Sequence, residues 1–442
     1  MNTKLLRIAE LAKRNPEMKF TSLAHLLSEE ALIQCHHELI ANKASGVDRI
    51  TKAEYAENLR DNIQKLVERL KKKSYRPLPV RRVYIDKAGS KKKRPLGIPS
   101  YEDKIVQRGI AKILSAIYEN DFLDSSFGFR PNRNCHDALK ILNVYIEKRY
   151  TNYIVDADIK GFFDNVDYKW MMEFLKHRIT DPSLLRLIAR FLKAGYMQEG
   201  MKYKTDKGTP QGGLISPILA NVYLHYVLDL WFQKTVRKQC QGQAYMVRYA
   251  DDFVCCFQYK KDADRFYQAL QKRLKKFNLE MAKDKTKIIP FGRFAQENCK
   301  RKGLKKPQTF DFLGFTHYCS KSKNGHFRVK RKTSSKKVQS KLKKSKEWLK
   351  ANRTKGTEFI MDRMIRSLNG YYNYYCITDN LREVSKYLYQ VTKLLFKWLN
   401  RRSQKKSYTW EKFNLLLKRF PLPKPRNKVN IYELRSHINY IL

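Results

Sequence analysis

Two adjacent aspartates, Asp251 and Asp252, stand in "RYADDFVCCF" between short apolar runs, 244–247 and 253–257, that read as strands. The pair therefore occupies a hairpin tip. Asp suits turns, so this fragment alone also admits a plain turn. A second acidic stretch is "NYIVDADIKGFFDNVD", residues 152–167. In an extended strand Asp156 and Asp158 share one face, while Val155, Ala157 and Ile159 share the other. If Asp158 faced the hairpin, three carboxylates would crowd together, which is unfavourable unless divalent cations hold them. Hard oxygen ligands suit Mg²⁺, with Mn²⁺ as a substitute; in two-metal sites such ions activate an attacking 3′ hydroxyl and stabilise a leaving pyrophosphate. Periodicity does not bring the two segments together, and surface turns on a sheet remain the alternative.

The elements that must hold these acids are mixed. Residues 1–72 have apolar positions at helical spacing, interrupted by "NKASGVDRI", where Gly46 and Asp48 mark a loop. Residues 78–100 read as a β-ribbon with a basic Gly/Ser tip, and further strand signals fall at 152–159, 200–206 and 244–257. A basic run from Lys321 to Arg353 carries one acid, Glu347, and its 329–350 portion reads as a helix. Like charges with almost no acids four residues away destabilise such a helix unless phosphates lie alongside. Aromatic-rich helices continue to about 402, and Pro421, Pro423 and Pro425 break the remainder.

Composition points the same way. The 442 residues suggest about three domains, with boundaries drawn near 300–330 and 402. The chain has 92 Lys and Arg against 42 Asp and Glu, a formal net charge of +50. A polyanion is the usual partner of such a surface, although ribosomal, histone-like and membrane-surface proteins share the sign. Eight cysteines without CxxC spacing read as reduced thiols in a cytosol-like compartment, and "QCHHEL" at 34–39 reads as helix surface. No apolar run reaches the roughly 18 residues of a membrane span, and the N-terminus does not read as a signal peptide. A cytoplasmic protein with no membrane partner is expected.

The ordered blocks "RPLGIPSYEDKIVQ", "SFGFRPNRNCHDAL", "DADIKGFFDNVD", "GTPQGGLISPILANVYL", "RYADDFV" and "FDFLGF" resemble a group II intron-encoded reverse transcriptase. The likeness continues into "SLNGYYNYY" at 367–375, similar to the thumb, or maturase X, domain of those proteins. It implies an α+β right-hand polymerase fold: an N-terminal extension and start of the fingers over 1–72, fingers and an antiparallel palm over 73–315, a helical thumb over 316–402 and a short basic nucleic-acid-binding tail over 403–442. It further implies that Asp158, Asp251 and Asp252 are catalytic and bind two Mg²⁺ ions, helped by the carbonyl of Ile159.

Carried over in the same way, Lys87, Arg94, Phe163 and Gln211 contact the incoming dNTP. Arg suits bidentate phosphate contact and Lys acts as a point charge, while the Phe163 ring would collide with a 2′ hydroxyl; Phe162 is expected in the core. Arg130 either touches template phosphate or holds the fingers together. Lys330, Arg331, Lys332, Lys336 and Lys337, on the basic helix, are expected to bind nucleic acid. The loop at 43–48 resembles the extension that lies over the template.

Longer relatives end in a Cys-bearing HNH nuclease module, which is expected to be absent here, since no cysteine follows Cys376. The expected function is RNA-directed DNA synthesis from a DNA or RNA primer, with binding of group II intron RNA to assist splicing and contact with target DNA. A domesticated reverse transcriptase in DNA repair or phage defence, and an RNA-binding splicing cofactor, are the alternatives.

Overall fold

Strand alternation organises the centre of the molecule. A computed structural model describes residues 2–86, 93–208, 212–402, 408–436 and 438. Eleven strands occur among them: β1 Val80–Asp86, β2 Lys93–Ile98, β3 Tyr153–Ala157, β4 Tyr196–Gln198, β5 Met201–Tyr203, β6 Ala244–Tyr249, β7 Asp252–Phe257, β8 Lys287–Pro290, β9 Phe310–Phe312, β10 Phe315–Lys321 and β11 Phe327–Thr333.

The central sheet has the antiparallel order β6-β7-β3-β8. Neighbouring β7 residues point to opposite faces, so Phe253, Cys255 and Phe257 enter one core with Val155 and Ala157, whereas Val254 and Cys256 enter another with Ile154 and Val247. The first core is closed by helices such as Tyr101–Tyr118 and Ser216–Leu224. The second is closed by the helix Cys135–Glu147 and by the small sheet β11-β10-β9. A third sheet, β2-β1-β4-β5, is built on the antiparallel ribbon β1–β2, and the loop at 43–48 is tied to its base by Arg81, which donates to the Ser45 carbonyl at 2.7 Å.

Three helices, Ser335–Asn352, Thr357–Tyr375 and Leu381–Leu399, pack around a third core containing Leu349, Met364, Tyr372, Tyr387 and Leu395. The basic helix therefore begins at Ser335, not at 329. Residues 327–333 are strand because Val329, Arg331 and Thr333 alternate inward with Lys330 and Lys332. After the helix Trp410–Arg419 the chain returns to the body. Val429 bridges Ile377, Ile431 and Ile438 are buried in the second core, and Arg435 reaches Asp137 at 3.3 Å. This part of the expected tail is built into the fold.

The cysteines are free. "QCHHEL" lies on the helix Glu29–Glu38, yet Cys35 and His36 are buried, His36 beside Tyr55 and Tyr101, rather than on its surface. No helix among the described residues is long and apolar enough to cross a membrane.

Candidate active site

The sheet register brings the two acidic segments together. Ala157 of β3 faces Phe253 of β7, so the next step of the antiparallel pairing sets Asp158 beside Asp252. The β6–β7 hairpin closes with Tyr249 opposite Asp252, leaving Ala250 and Asp251 as the turn. Ala250 adopts φ 57°, a left-handed conformation that a residue with a Cβ keeps only when its surroundings hold it. Behind Asp158 the chain is anchored by the Ala282 amide, which donates to the Asp158 carbonyl at 2.8 Å, and by a bridge between Ile159 and Met281.

Crowding marks these carboxyls. Burial raises Asp251, with Asp158 adding to the rise and Arg94 on β2 opposing it. Asp252 reaches solvent at the strand end, but the surrounding protein, then Asp251 and Asp158, pushes it up to about 6. Asp156, more deeply set, is pushed to about 7 by burial and by Asp252, Asp311 and Asp158. The Lys285 ammonium lies 2.6 Å from Asp158 Oδ2. Among the described residues no three acidic, His or Cys side chains converge at ligand spacing.

In front of the acids is a cleft of about 820 Å³. Asp156, Asp158, Asp252 and Asp311 line one wall; Lys336, Lys337, Lys341 and Lys344 line the other. Three of those lysines fall at i, i+4 and i+7 on one helix face. Lys337 is close enough to Asp252 for its charge to lower that carboxyl's pKa. Tyr374 and Tyr375 also line the cleft, and Tyr374 donates to the Leu313 carbonyl at 2.8 Å. Tyr371 borders the cleft as well, while packing with Tyr372 in the helical core.

Several expected contacts sit elsewhere. Arg331 is 0% exposed, and its guanidinium donates to Asn143 and to the Val329 carbonyl, so it is a core residue unable to meet a phosphate. Lys332 is exposed and Lys330 half-buried on the same strand. Arg130 is also buried, held by Glu119 and by the carbonyls of Leu123 and Ser126, which corresponds to the bracing alternative. Phe163 lies on the short helix Phe162–Asn165, edge-on to Phe162, and lines a 130 Å³ cavity with Arg82, Gly97 and Gly208 rather than the acidic cleft. Phe162 is in the core. Lys87 and Gln211 lie outside the described residues.

Sequence reasoning missed Lys285, Asp311 and the lysines beyond Lys337. Asp311 stood inside the quoted "FDFLGF" block, while Lys285 was one lysine among many; helical spacing from Lys337 was the available signal for Lys341 and Lys344.

The family model for reverse transcriptase (RNA-dependent DNA polymerase) matches residues 85–317. Group II intron-encoded protein LtrA of Lactococcus lactis subsp. cremoris is 41% identical over 231 residues, which cover 51% of this chain and 38% of LtrA. Protein YkfC of Escherichia coli K12 is 32% identical over 280 residues, covering 56% of this chain and 73% of YkfC. Nuclear intron maturase 2 of Arabidopsis thaliana is 29% identical over 179 residues, 31% of this chain and 24% of that protein. With the matched segment spanning both acidic strands, the chain belongs to the reverse transcriptase family, in its group II intron-encoded class.

Proposed function

We propose that the protein is an RNA-directed DNA polymerase that also binds a group II intron RNA to assist splicing and mobility. In this reading the β1–β2 ribbon and N-terminal helices are fingers, the central sheet is the palm and the three helices from Ser335 are the thumb. The observation that carries the reading is the register that sets Asp158 beside Asp252, with Asp251 on the adjoining turn, opposite a row of helix lysines.

The donor set fits divalent magnesium. It is all oxygen, Asp251 and Asp252 are raised by burial and then by neighbouring carboxylates, and Asp158 already attracts a cationic side chain. Asp158, Asp251 and Asp252 would hold the ions, with the Ile159 carbonyl as a further donor. When bound, such ions activate a primer 3′ hydroxyl and stabilise the leaving pyrophosphate. The chain's own groups do the rest. Lys285 competes for Asp158 Oδ2, Arg94 beside Asp251 offers a fork for triphosphate oxygens, and the cleft lysines hold the backbone of a template–primer duplex. Phe163, one cavity away, restricts space for a 2′ hydroxyl.

The intron role rests on relatives whose names describe intron-encoded and maturase proteins. Primer extension on an RNA template, with Asp251→Asn as control, tests the polymerase; extension absent from the wild type in Mg²⁺ overturns it. Sequencing RNA that co-purifies with the protein tests the intron partner, and a population without intron sequence favours a role in repair or defence.

A further inference from the structure

Arg248 heads the fully buried side chains by size, and its partner Asp229 is equally enclosed: both are 0% exposed. Replacing such a pair with apolar residues of similar volume is often neutral or stabilising, so stability is a poor explanation for it. Its geometry offers a better one. Nε and Nη2 donate to Asp229 at 2.7 and 2.5 Å, while Nη1 donates at 3.0 Å both to Asn221 Oδ1 and to the Ala250 carbonyl. That carbonyl belongs to the peptide plane that carries the amide of Asp251. Holding the oxygen therefore holds the plane, at the residue whose φ is left-handed.

The rest of the surroundings converge on the same turn. The Arg248 amide donates to Ser125 and its carbonyl accepts from Phe127, so the segment before Gly128 is stitched to β6. Asn221 Nδ2 donates to the Gly128 carbonyl at 2.8 Å. A Cβ on Gly128 would stand 2.3 Å from the Ala250 amide nitrogen, so only glycine permits this approach. Asp229 itself ends a widened, π-type turn, His225–Asp229, a distortion that often accompanies functional sites.

We infer that Arg248 is a positioning residue: clamped by Asp229 and Asn221, its guanidinium fixes the Ala250–Asp251 peptide and so aims Asp251 as a metal ligand. This inference rests on the proposed polymerase function. A lysine keeps charge pairing with Asp229 but has no planar fork to reach three acceptors.

Two variants test it, Arg248→Lys and Asn221→Leu, the second leaving the ion pair in place. Each is compared with wild type for thermal midpoint, template–primer affinity, dNTP KM, kcat against Mg²⁺ concentration, and Mn²⁺ affinity by electron paramagnetic resonance on a complex with a dideoxy-terminated primer. The expected result is retained folding and duplex affinity, with metal affinity and kcat each lower on the order of 10- to 100-fold and dNTP KM nearly unchanged. If either folded variant keeps wild-type Mn²⁺ affinity and Mg²⁺ dependence, the clamp is merely structural and the inference falls; if Arg248→Lys does not fold, Asn221→Leu decides by the same readouts. A wild type that never extends primers refutes the polymerase reading instead, and Mn²⁺ affinity still tests the turn.

Discussion

Lys285 Nζ lies 2.6 Å from Asp158 Oδ2, so the carboxylate at the end of β3 holds a cation of the protein's own. The hydrogen bond to Asp158, helped by that carboxylate's charge, raises the lysine's pKa above its ordinary value. On the proposed mechanism this ammonium competes with a divalent ion for the same carboxylate.

Asp158→Asn and Asp251→Asn should each lower DNA synthesis by about three orders of magnitude or more, the scale on which charge stabilisation at a reacting centre acts. Nucleic-acid affinity should stay within about twofold, because the cleft lysines are untouched. Single-turnover extension and filter binding in Mg²⁺ measure the two quantities. Substantial extension by either variant removes these residues from the reaction.

Phe163→Ala should raise ribonucleotide use relative to deoxyribonucleotide by roughly tenfold or more, the range that a changed pocket contact of this size commands. The ring borders the cavity shared with Arg82 and Gly208, and its removal leaves room for one more oxygen. Single-nucleotide incorporation with matched dNTP and rNTP reads the ratio. An unchanged ratio moves the discrimination to another residue.

The cleft lysines and the buried Arg331 should separate cleanly. Lys337→Ala, Lys341→Ala and Lys344→Ala combined should weaken template–primer binding and flatten its log–log salt dependence by about two to three, one counterion per lost phosphate contact. Arg331→Leu should leave that slope alone and cost about 1–3 kcal/mol of stability, because it leaves the buried Asn143 acceptor without its donor. A shallower salt slope for Arg331→Leu contradicts its burial.

This contrast shows what the sequence carried and what it did not. The strand carrying Asp158 and the hairpin tip carrying Asp251 and Asp252 were readable as local patterns, but periodicity did not bring them together, and their grouping into one site came from the family resemblance. Arg331 was hidden by its neighbours: between Lys330 and Lys332 it looks like one more charge, and only the inward alternation of Val329 and Thr333 separates a strand from a helix there. Arg248 and Asp229 lie 19 residues apart on different elements, a pairing that no periodicity announces. The docked C-terminal stretch escaped because Val429, Ile431 and Ile438 are thinly spread among charges.

His317 supplies a pH test away from the acids. It is fully buried, stacked on Phe310 at 4.7 Å, and burial with the Arg331 charge lowers its pKa to about 3. The folded value lies below the unfolded one, so the unfolded chain takes up the proton first. Stability is complete above pH 6.5 and declines as pH falls toward 3. The loss between pH 7 and 5 is about 2 kcal/mol. His317→Phe should remove that part of the decline, seen as a flatter plot of thermal midpoint against pH. An equally steep plot for the variant assigns the decline to other groups.

The returning stretch 428–438 has a mechanical consequence. Lys428 and Val429 pair with the end of one cleft wall at Cys376 and Ile377, and the Ile431 amide donates to Thr378 Oγ1 at 3.1 Å. A few residues on, Tyr432 meets Glu147 and Arg328, and Arg435 meets Asp137, on the body that carries the other wall. The chain thus laces both jaws from behind. Swinging them apart would unlace it and wet Ile431 and Ile438, at about 1.5–3 kcal/mol for each side chain. On the proposed function, a nucleic-acid duplex would enter a gauge of nearly fixed width, and trimming the protein far from its carboxylates would alter the grip on that substrate.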